Sequence, residues 1–335
     1  MSDIAFCAEK YKSRPISAST SKLPWASGLW RFLSIADLND VQGYYGTKGV
    51  PSSTNIPGAR EGAATWIDAS NNLWLFAGKG CNDTGGGTEL NDLWKFDTSL
   101  EQWIWVGGSK ELEQFGVYGT KGVPASTNCP GARRYANSWV DASGNLWLFG
   151  GFGFATKARG YFLNDLWKYD VAADMWTWMA GTNLTDLFGV EGTTHGVYGT
   201  KGVPASANTP GARYKACSWT DASGNLWLFG GLGFPESGAS ETLSDLWKFD
   251  ISTGLWTWVS GPKAPNQYGN YGTKGVAHSD NTPGARDASQ AWTDSSGTLW
   301  LFGGQGYAAT SIGQLNDLWK FEITADSHVE EWMLY

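Results

Sequence analysis

The chain has 335 residues, of which 45 are glycine, 21 are tryptophan and only 17% are charged. This composition favours a turn-rich, all-β protein with an aromatic core over a helical or disordered chain. The formal net charge of -8 argues against a sequence-independent grip on nucleic-acid phosphates or anionic lipid. No apolar run is long enough to span a bilayer, and the first residues do not form a secretory signal. We therefore expect a soluble protein without membrane insertion, in a compartment that the sequence does not specify.

The chain begins with residues 1–28, which carry no repeat and are predicted to be an N-terminal extension. The segment from Leu29 to Val50 then aligns without gaps to the segment from Leu255 to Val276. Trp30 and Phe32 thereby match the later Trp-x-Trp segments, so we expect them to lie in a β-strand.

A repeat starts near residues 58, 131, 211 and 284, where the tetrapeptide Pro-Gly-Ala-Arg recurs. Its arginines are 73, 80 and 73 residues apart, at Arg60, Arg133, Arg213 and Arg286. Each arginine is followed by a segment that ends in Trp-x-Asp and by a short turn such as Asp-Ala-Ser-Gly-Asn. This pattern predicts a strand followed by a tight turn.

Three more strands are predicted in each repeat. The second is Leu-Trp-Leu-Phe, which ends on paired glycines such as Gly150 and Gly151, as a buried strand does where its end needs a positive φ or a close backbone approach. The third is Asn-Asp-Leu-Trp-Lys-Phe/Tyr-Asp, with an alternating middle. The fourth is Trp-x-Trp, which decays at the C-terminus to Trp332-Met333-Leu334. A four-stranded meander buries both faces only by stacking on its neighbours.

Paired glycines, then Asp-Leu-Trp-x-Tyr/Phe, then a tryptophan seven residues after that aromatic resemble the kelch repeat. The spacing holds from Phe96 to Trp103, from Tyr169 to Trp176 and from Phe249 to Trp256, and it stretches in the last unit. The resemblance covers residues 58–335 and implies a β-propeller similar to the central domain of galactose oxidase. The expected fold is all-β, with four complete four-stranded blades plus an extra N-terminal outer strand in a domain spanning 29–335. Such a fold does not determine a function.

The predicted N-terminal strand allows three alternatives for how the propeller closes. It adds to the last blade, or residues 1–28 build a reduced fifth blade around it, or its edge pairs with another copy of the chain, since an unprotected edge strand invites association. We favour a closed ring of four blades with one extra strand.

One face of the propeller is predicted to carry the function. The second-to-third and the fourth-to-first connections emerge on the same side and are the long ones, and binding residues concentrate on such loops. The repeated loop Tyr-Gly-Thr-Lys-Gly-Val offers either four cationic ligand sites or, as we favour, a structural collar. Its lysines are Lys48, Lys121, Lys201 and Lys274.

The other repeated residues are interpreted as framework. The four arginines either form a cationic ring or, as we favour, pair with the aspartate of Asn-Asp-Leu-Trp. The tryptophans are predicted to be core and not a sugar-stacking array.

Candidate binding residues are those positions on the loop-rich face where the units differ. They follow the arginine (Glu61, Arg134, Tyr214, Asp287), follow the paired glycines (Lys79, Phe152, Gln305), or lie two positions later (Phe154, Phe234, Tyr307). If the first two strands lie near the axis, as in kelch domains, these side chains surround a channel mouth and form a pocket. Ordinary surface variation is the alternative.

No catalytic residue, metal site or cofactor is predicted. The copper site of galactose oxidase needs paired His and Tyr ligands and a cross-linked Cys, whereas this chain has three scattered histidines. Kelch-like isomerases use acidic, basic or His residues at the channel mouth, where Glu61, Arg134 and Asp287 are candidates. We expect a non-catalytic module that binds a protein or a glycan. The alternatives are a kelch-type sugar isomerase or oxidase-like enzyme, and a structural protein that self-assembles into a homo-oligomer through its N-terminal strand.

Overall fold

The computed structural model describes residues 39–156, 161–184, 194–323 and 331–334. These ranges contain twenty β-strands and no helix. The strands form four antiparallel sheets that follow one another along the chain. Nothing in the described ranges is a helix long and apolar enough to cross a membrane. The all-β prediction is therefore confirmed.

The sheets are numbered I to IV in chain order. Sheet I consists of β1 (Arg60–Glu61), β2 (Ala64–Ile67), β3 (Leu73–Asn82), β4 (Gly85–Asp97) and β5 (Gln102–Gly107). Sheet II consists of β6 (Arg133–Arg134), β7 (Asn137–Val140), β8 (Leu146–Gly153), β9 (Tyr161–Asp170) and β10 (Met175–Ala180). Sheet III consists of β11 (Arg213–Tyr214), β12 (Cys217–Thr220), β13 (Leu226–Gly233), β14 (Glu241–Asp250) and β15 (Leu255–Ser260). Sheet IV consists of β16 (Arg286–Asp287), β17 (Gln290–Thr293), β18 (Leu299–Tyr307), β19 (Ile312–Glu322) and β20 (Glu331–Leu334).

Each sheet is a four-stranded meander whose first strand is broken in two. In sheet I, β1 and β2 both pair with β3, which continues through β4 to β5 at the outer edge. The same order recurs in the other three sheets. The four-strand unit read from the sequence is thereby confirmed, whereas the predicted N-terminal strand around Trp30 and Phe32 lies outside the described residues.

Adjacent sheets pack face to face through aromatic and aliphatic side chains. We call the face that packs on the following sheet the front face and the opposite one the back face. Between sheets I and II, Trp74 lies 5.7 Å from Tyr169 and Phe76 lies 5.3 Å from Trp176, measured between ring centroids. Equivalent ring pairs join sheets II and III and sheets III and IV. Most tryptophans are therefore core, as predicted.

A hydrogen bond fixes the register of each of these contacts. The indole nitrogen of Trp66 in sheet I donates to the carbonyl of Trp147 in sheet II at 3.1 Å. The equivalent bonds run from Trp139 to sheet III and from Trp219 to sheet IV. Within the described residues, no comparable packing joins sheet IV back to sheet I. The direct closure of a four-bladed ring that the sequence favoured is therefore not found there.

The connections place most of the loop residues on one side of the stack. The first-to-second and third-to-fourth turns are short, and the fourth-to-first connections are long, as predicted. The second-to-third connections are less regular, because in sheet I the strands continue to a two-residue turn at Asp83 and Thr84. The prediction of a long connection at that point is wrong for sheet I, where Gly85 and Gly86 adopt positive φ values of 91° and 98° and allow the tight turn.

The repeated Tyr-Gly-Thr-Lys-Gly-Val loop is a structural collar in sheet II. The Tyr118 hydroxyl donates to Asp165 at 2.6 Å, and the Lys121 ammonium donates to the carbonyl of Gly181 at 2.8 Å. The same ammonium lies 4.4 Å above the Trp178 ring. Because the tyrosine bond recurs in all four units, these tyrosines belong to the framework and not to a ligand site.

Candidate functional site

A buried ion pair joins the first strand to the third strand in every sheet. In sheet II the Arg133 guanidinium makes two hydrogen bonds to the Asp165 carboxylate, at 2.7 and 2.8 Å, and both side chains are almost completely buried. The Trp167 indole also donates to this carboxylate at 2.7 Å. The same pairing occurs for the other three repeated arginines. The predicted pairing with the Asn-Asp-Leu-Trp aspartate is confirmed, so these arginines are not a cationic ring for ligands.

The first strands meet in a line of backbone hydrogen bonds two residues after each of those arginines. The amide of Tyr135 donates to the carbonyl of Gly62 at 2.7 Å, Lys215 donates to Tyr135 at 3.2 Å, and Ala288 donates to Lys215 at 3.0 Å. All four residues have positive φ values, from 54° to 65°. We call this series the axial line. The left-handed backbone breaks each first strand and brings four residues of unlike type into one line.

An aromatic cluster lies beside the axial line on the loop-rich face, between sheets II and III. The Phe162 ring contacts Phe152 at 6.0 Å, Tyr214 at 5.4 Å and Phe234 at 5.5 Å, and Tyr214 is also 6.2 Å from Tyr135. Phe234 is buried, whereas the other four rings remain partly exposed. The cluster therefore offers ring faces to a ligand on a support that is already packed.

Two cations lie over these rings. The Arg134 guanidinium is 5.1 Å from the centroid of Phe152, and its Nε is 3.5 Å from a carboxylate oxygen of Glu89. The Lys215 ammonium is 4.9 Å from the Tyr135 ring and 5.6 Å from the Tyr214 ring. Cations held over aromatic faces leave hydrogen-bond donors available to an anionic or hydroxyl-bearing group.

Two further acids lie at the ends of the axial line. Burial together with the carboxylate of Glu61 raises the pKa of Tyr135. Burial likewise raises the pKa of Asp287, although the charge of Lys215 works in the opposite direction. Burial and the charge of Asp287 raise the pKa of Tyr214. The site thus has an acid from sheet I, a cation and a tyrosine from each of sheets II and III, and an acid from sheet IV.

The structure brings together six of the ten predicted residues around the axial line and the aromatic cluster. These are Glu61, Arg134, Phe152, Tyr214, Phe234 and Asp287. Of the other four, Lys79 and Gln305 occupy the register position that Phe152 has in sheet II, and Phe154 and Tyr307 lie two residues further along the chain than that position. Lys79 is opposite Glu61 and Gln305 is opposite Asp287 in the strand register, while Phe154 contacts Phe115 and Tyr307 contacts Tyr268. No ring contact within the described residues joins these four to the aromatic cluster.

Sequence reasoning did not include Tyr135, Lys215, Phe162 or Glu89. Tyr135 and Lys215 directly follow predicted residues, and their position holds Gly, Tyr, Lys and Ala in the four units. That variation was the available signal. Phe162 and Glu89 precede the third-strand motif, and only their contacts in the folded chain connect them with the site.

Chemically, the arrangement suits binding through stacked rings and paired charges. In the described part of the chain, no three His, Cys, Asp or Glu side chains are grouped so that they could hold a metal ion. Cys81, Cys129 and Cys217 are free thiols. Comparison with models of known protein families and with curated protein sequences gives no match to this chain.

Proposed function

We propose that the chain is a kelch-type β-propeller module that binds a protein or a glycan partner, without catalysing a reaction, through the axial line and the aromatic cluster. The observation that carries this proposal is the meeting of the unlike first strands of sheets II and III in one partly exposed group of Arg134, Tyr135, Tyr214 and Lys215. The framework residues recur from unit to unit, whereas these side chains differ and so distinguish this face.

The composition of the group supports recognition. Tyr and Arg are enriched among residues that dominate binding energies, because they combine a large rigid surface with hydrogen-bond donors. Arg134 and Lys215 are already held over rings, so less side-chain entropy is lost when a partner binds. The neighbouring carboxylates of Glu61 and Glu89 restrict which charges a partner can bring.

The binding test uses an oligosaccharide array and a displayed peptide library, so that the two partner classes are separate arms. We expect the wild type to bind members of one arm, and the double variant Arg134→Ala/Tyr214→Ala to lose binding by about tenfold or more. Leu100→Ala is the matched control, because Leu100 is an exposed apolar side chain in a turn at the opposite end of the strands. Equal binding by wild type and double variant, or none by the wild type in either arm, contradicts the proposal.

A second candidate is a kelch-type enzyme that acts on a sugar or a small anion. It is favoured by one observation, the raised pKa of Asp287 beside the cation of Lys215, since a carboxyl of this kind suits general acid–base chemistry. A substrate screen of the wild type against Asp287→Asn tests it. Turnover by the wild type that the variant lacks would establish this function instead.

We also propose that the four sheets are kelch blades within a domain that spans residues 29–335, and that residues 1–28 are an extension. The order of strands within each sheet supports the blade assignment, and so do the aromatic contacts between the facing surfaces of adjacent sheets. We call each such contact between two adjacent sheets a seam. Limited proteolysis followed by intact-mass measurement tests the boundary. A resistant fragment that starts near residue 29 is expected, and one that starts near residue 58 would place the boundary at the first repeat.

A further inference from the structure

The last sheet exposes a face that the other sheets bury. On the front face of sheet IV, Trp292 is 54% exposed and Phe302 is 40% exposed. Their counterparts in sheet I, Trp66 and Phe76, are 4% and 0% exposed because sheet II covers them. Sheet IV therefore ends in an aromatic face of the type that forms every internal seam.

The first sheet exposes the complementary face. On the back face of sheet I, Leu73 is 42% exposed, whereas its counterparts Leu146 and Leu299 are fully buried under the preceding sheet. Phe96 is half-buried on the same face, while its counterpart Phe321 is fully buried. The two ends of the stack are thus the two halves of one interface.

The hydrogen-bonding groups at the two ends match as well. The Trp292 indole nitrogen has no protein acceptor within the described chain, although its three counterparts each donate to the following sheet. The axial line also stops at its two ends, at the amide of Gly62 and the carbonyl of Ala288. Each end offers the donor or acceptor that the other end lacks.

We propose that a second copy of this chain packs the back face of its sheet I on the front face of sheet IV, and so forms a fourth seam like the three internal ones. The internal seams supply the geometry of this contact. In it, Trp292 donates to the carbonyl of the partner subunit's Trp74, and Phe302 contacts the partner subunit's Trp103. This contact is head-to-tail, so each copy retains one free half. Two copies that satisfy both halves form a ring of eight sheets, within the usual range of propeller sizes.

The first test is the mass of the full chain in solution, measured by light scattering across a concentration series. We expect a species of twice the 36.3 kDa of one chain. A single-chain mass at every concentration overturns the proposal. The proposal is independent of ligand binding, because assembly is read without any partner.

The second test uses variants that each disable one half of the contact. Trp292→Glu disables the front half and Leu73→Glu disables the back half, and each side chain is exposed in the single chain, so both variants should fold. Each variant alone should fall to the single-chain mass. Val123→Glu is the matched control in the collar, with a side chain about as exposed, and should assemble like the wild type.

Mixing the two variants separates a head-to-tail contact from a self-complementary one. The Trp292→Glu chain retains a good back face and the Leu73→Glu chain retains a good front face. An equal mixture should therefore recover pairs of twice the single-chain mass. A mixture that stays at the single-chain mass, or a wild-type assembly that neither substitution weakens, overturns the proposal.

Discussion

The Arg213 guanidinium and the Asp245 carboxylate form a two-pronged ion pair, with nitrogen–oxygen distances of 2.6 and 2.8 Å. The Tyr198 hydroxyl and the Trp247 indole donate to the same carboxylate, each at 2.7 Å. One buried carboxylate thus connects the first strand, the third strand and the collar of sheet III, and the arrangement recurs in every sheet.

Removing one partner of this pair should strongly lower the stability of the folded protein. Arg213→Met leaves the Asp245 carboxylate buried without its counter-charge, and we expect the free energy of unfolding to fall by about 3–5 kcal/mol. Urea unfolding measures the change. The control is Lys263→Met, which breaks the exposed ion pair with Glu236 and should cost no more than about 1 kcal/mol. Equal losses in the two variants would contradict the role given to the buried pair.

The same pair predicts how stability depends on pH. Burial alone would raise the pKa of Asp245, but Arg213 and the hydrogen bonds around it lower that pKa below its ordinary value of 3.8. A lowered folded-state pKa contributes stability that is present above pH 3.8 and is lost as the pH falls through the folded value. The urea concentration at the midpoint of unfolding should therefore fall as the pH is lowered below 3.8. The difference in urea midpoint between the wild type and Asp245→Asn should become smaller at low pH. A difference that does not change with pH would contradict this prediction.

The glycine of Pro-Gly-Ala-Arg is required by a close backbone contact. A Cβ atom on Gly131 would overlap the carbonyl of Phe154, and the same holds at Gly58, Gly211 and Gly284. We expect Gly131→Ala to destabilise the protein by about 1–3 kcal/mol, as strained core substitutions do. Gly87→Ala is the control, because nothing lies within 4 Å of its added Cβ. Thermal unfolding of both variants gives the comparison.

The axial line holds a strained alanine. Ala288 has a φ of 55°, a conformation that costs a residue with a Cβ about 1 kcal/mol or more, and the equivalent residue in sheet I is Gly62. Ala288→Gly should therefore raise the free energy of unfolding by about 0.5–1 kcal/mol, while Ala291→Gly in β17 should lower it. Urea unfolding of the two variants checks the opposite signs.

The thiol of Cys217 should be unreactive in the folded protein. Burial raises its pKa to about 12, and the corresponding effect raises the pKa of Cys129 to about 11. Because the thiolate is the reactive form, both should react slowly with a thiol reagent at pH 8 and rapidly after unfolding in urea. Peptide mapping of the labelled cysteines distinguishes them, and fast labelling of Cys217 in the folded chain would contradict its burial.

Repetition made the framework predictable from the sequence. The partner of each repeated arginine was identifiable because an aspartate follows it 32 residues later in three units and 31 residues later in the fourth, as Asp165 follows Arg133. The candidate site was only partly predictable, because Tyr135 and Lys215 meet across 80 residues of chain and their position has no fixed residue type. The positive φ that brings them together has no glycine to signal it in three of the four units.

The seams also affect how the number of repeat units in such a chain can change during evolution. Every seam is formed by two neighbouring sheets, with the donor on one unit and the acceptor on the next. Duplication of one 73-residue stretch within the gene would therefore add one sheet together with one complete seam, without altering the existing ones. Unit number is then free to change during evolution, while the four unlike residues of the axial line record where the copies have diverged.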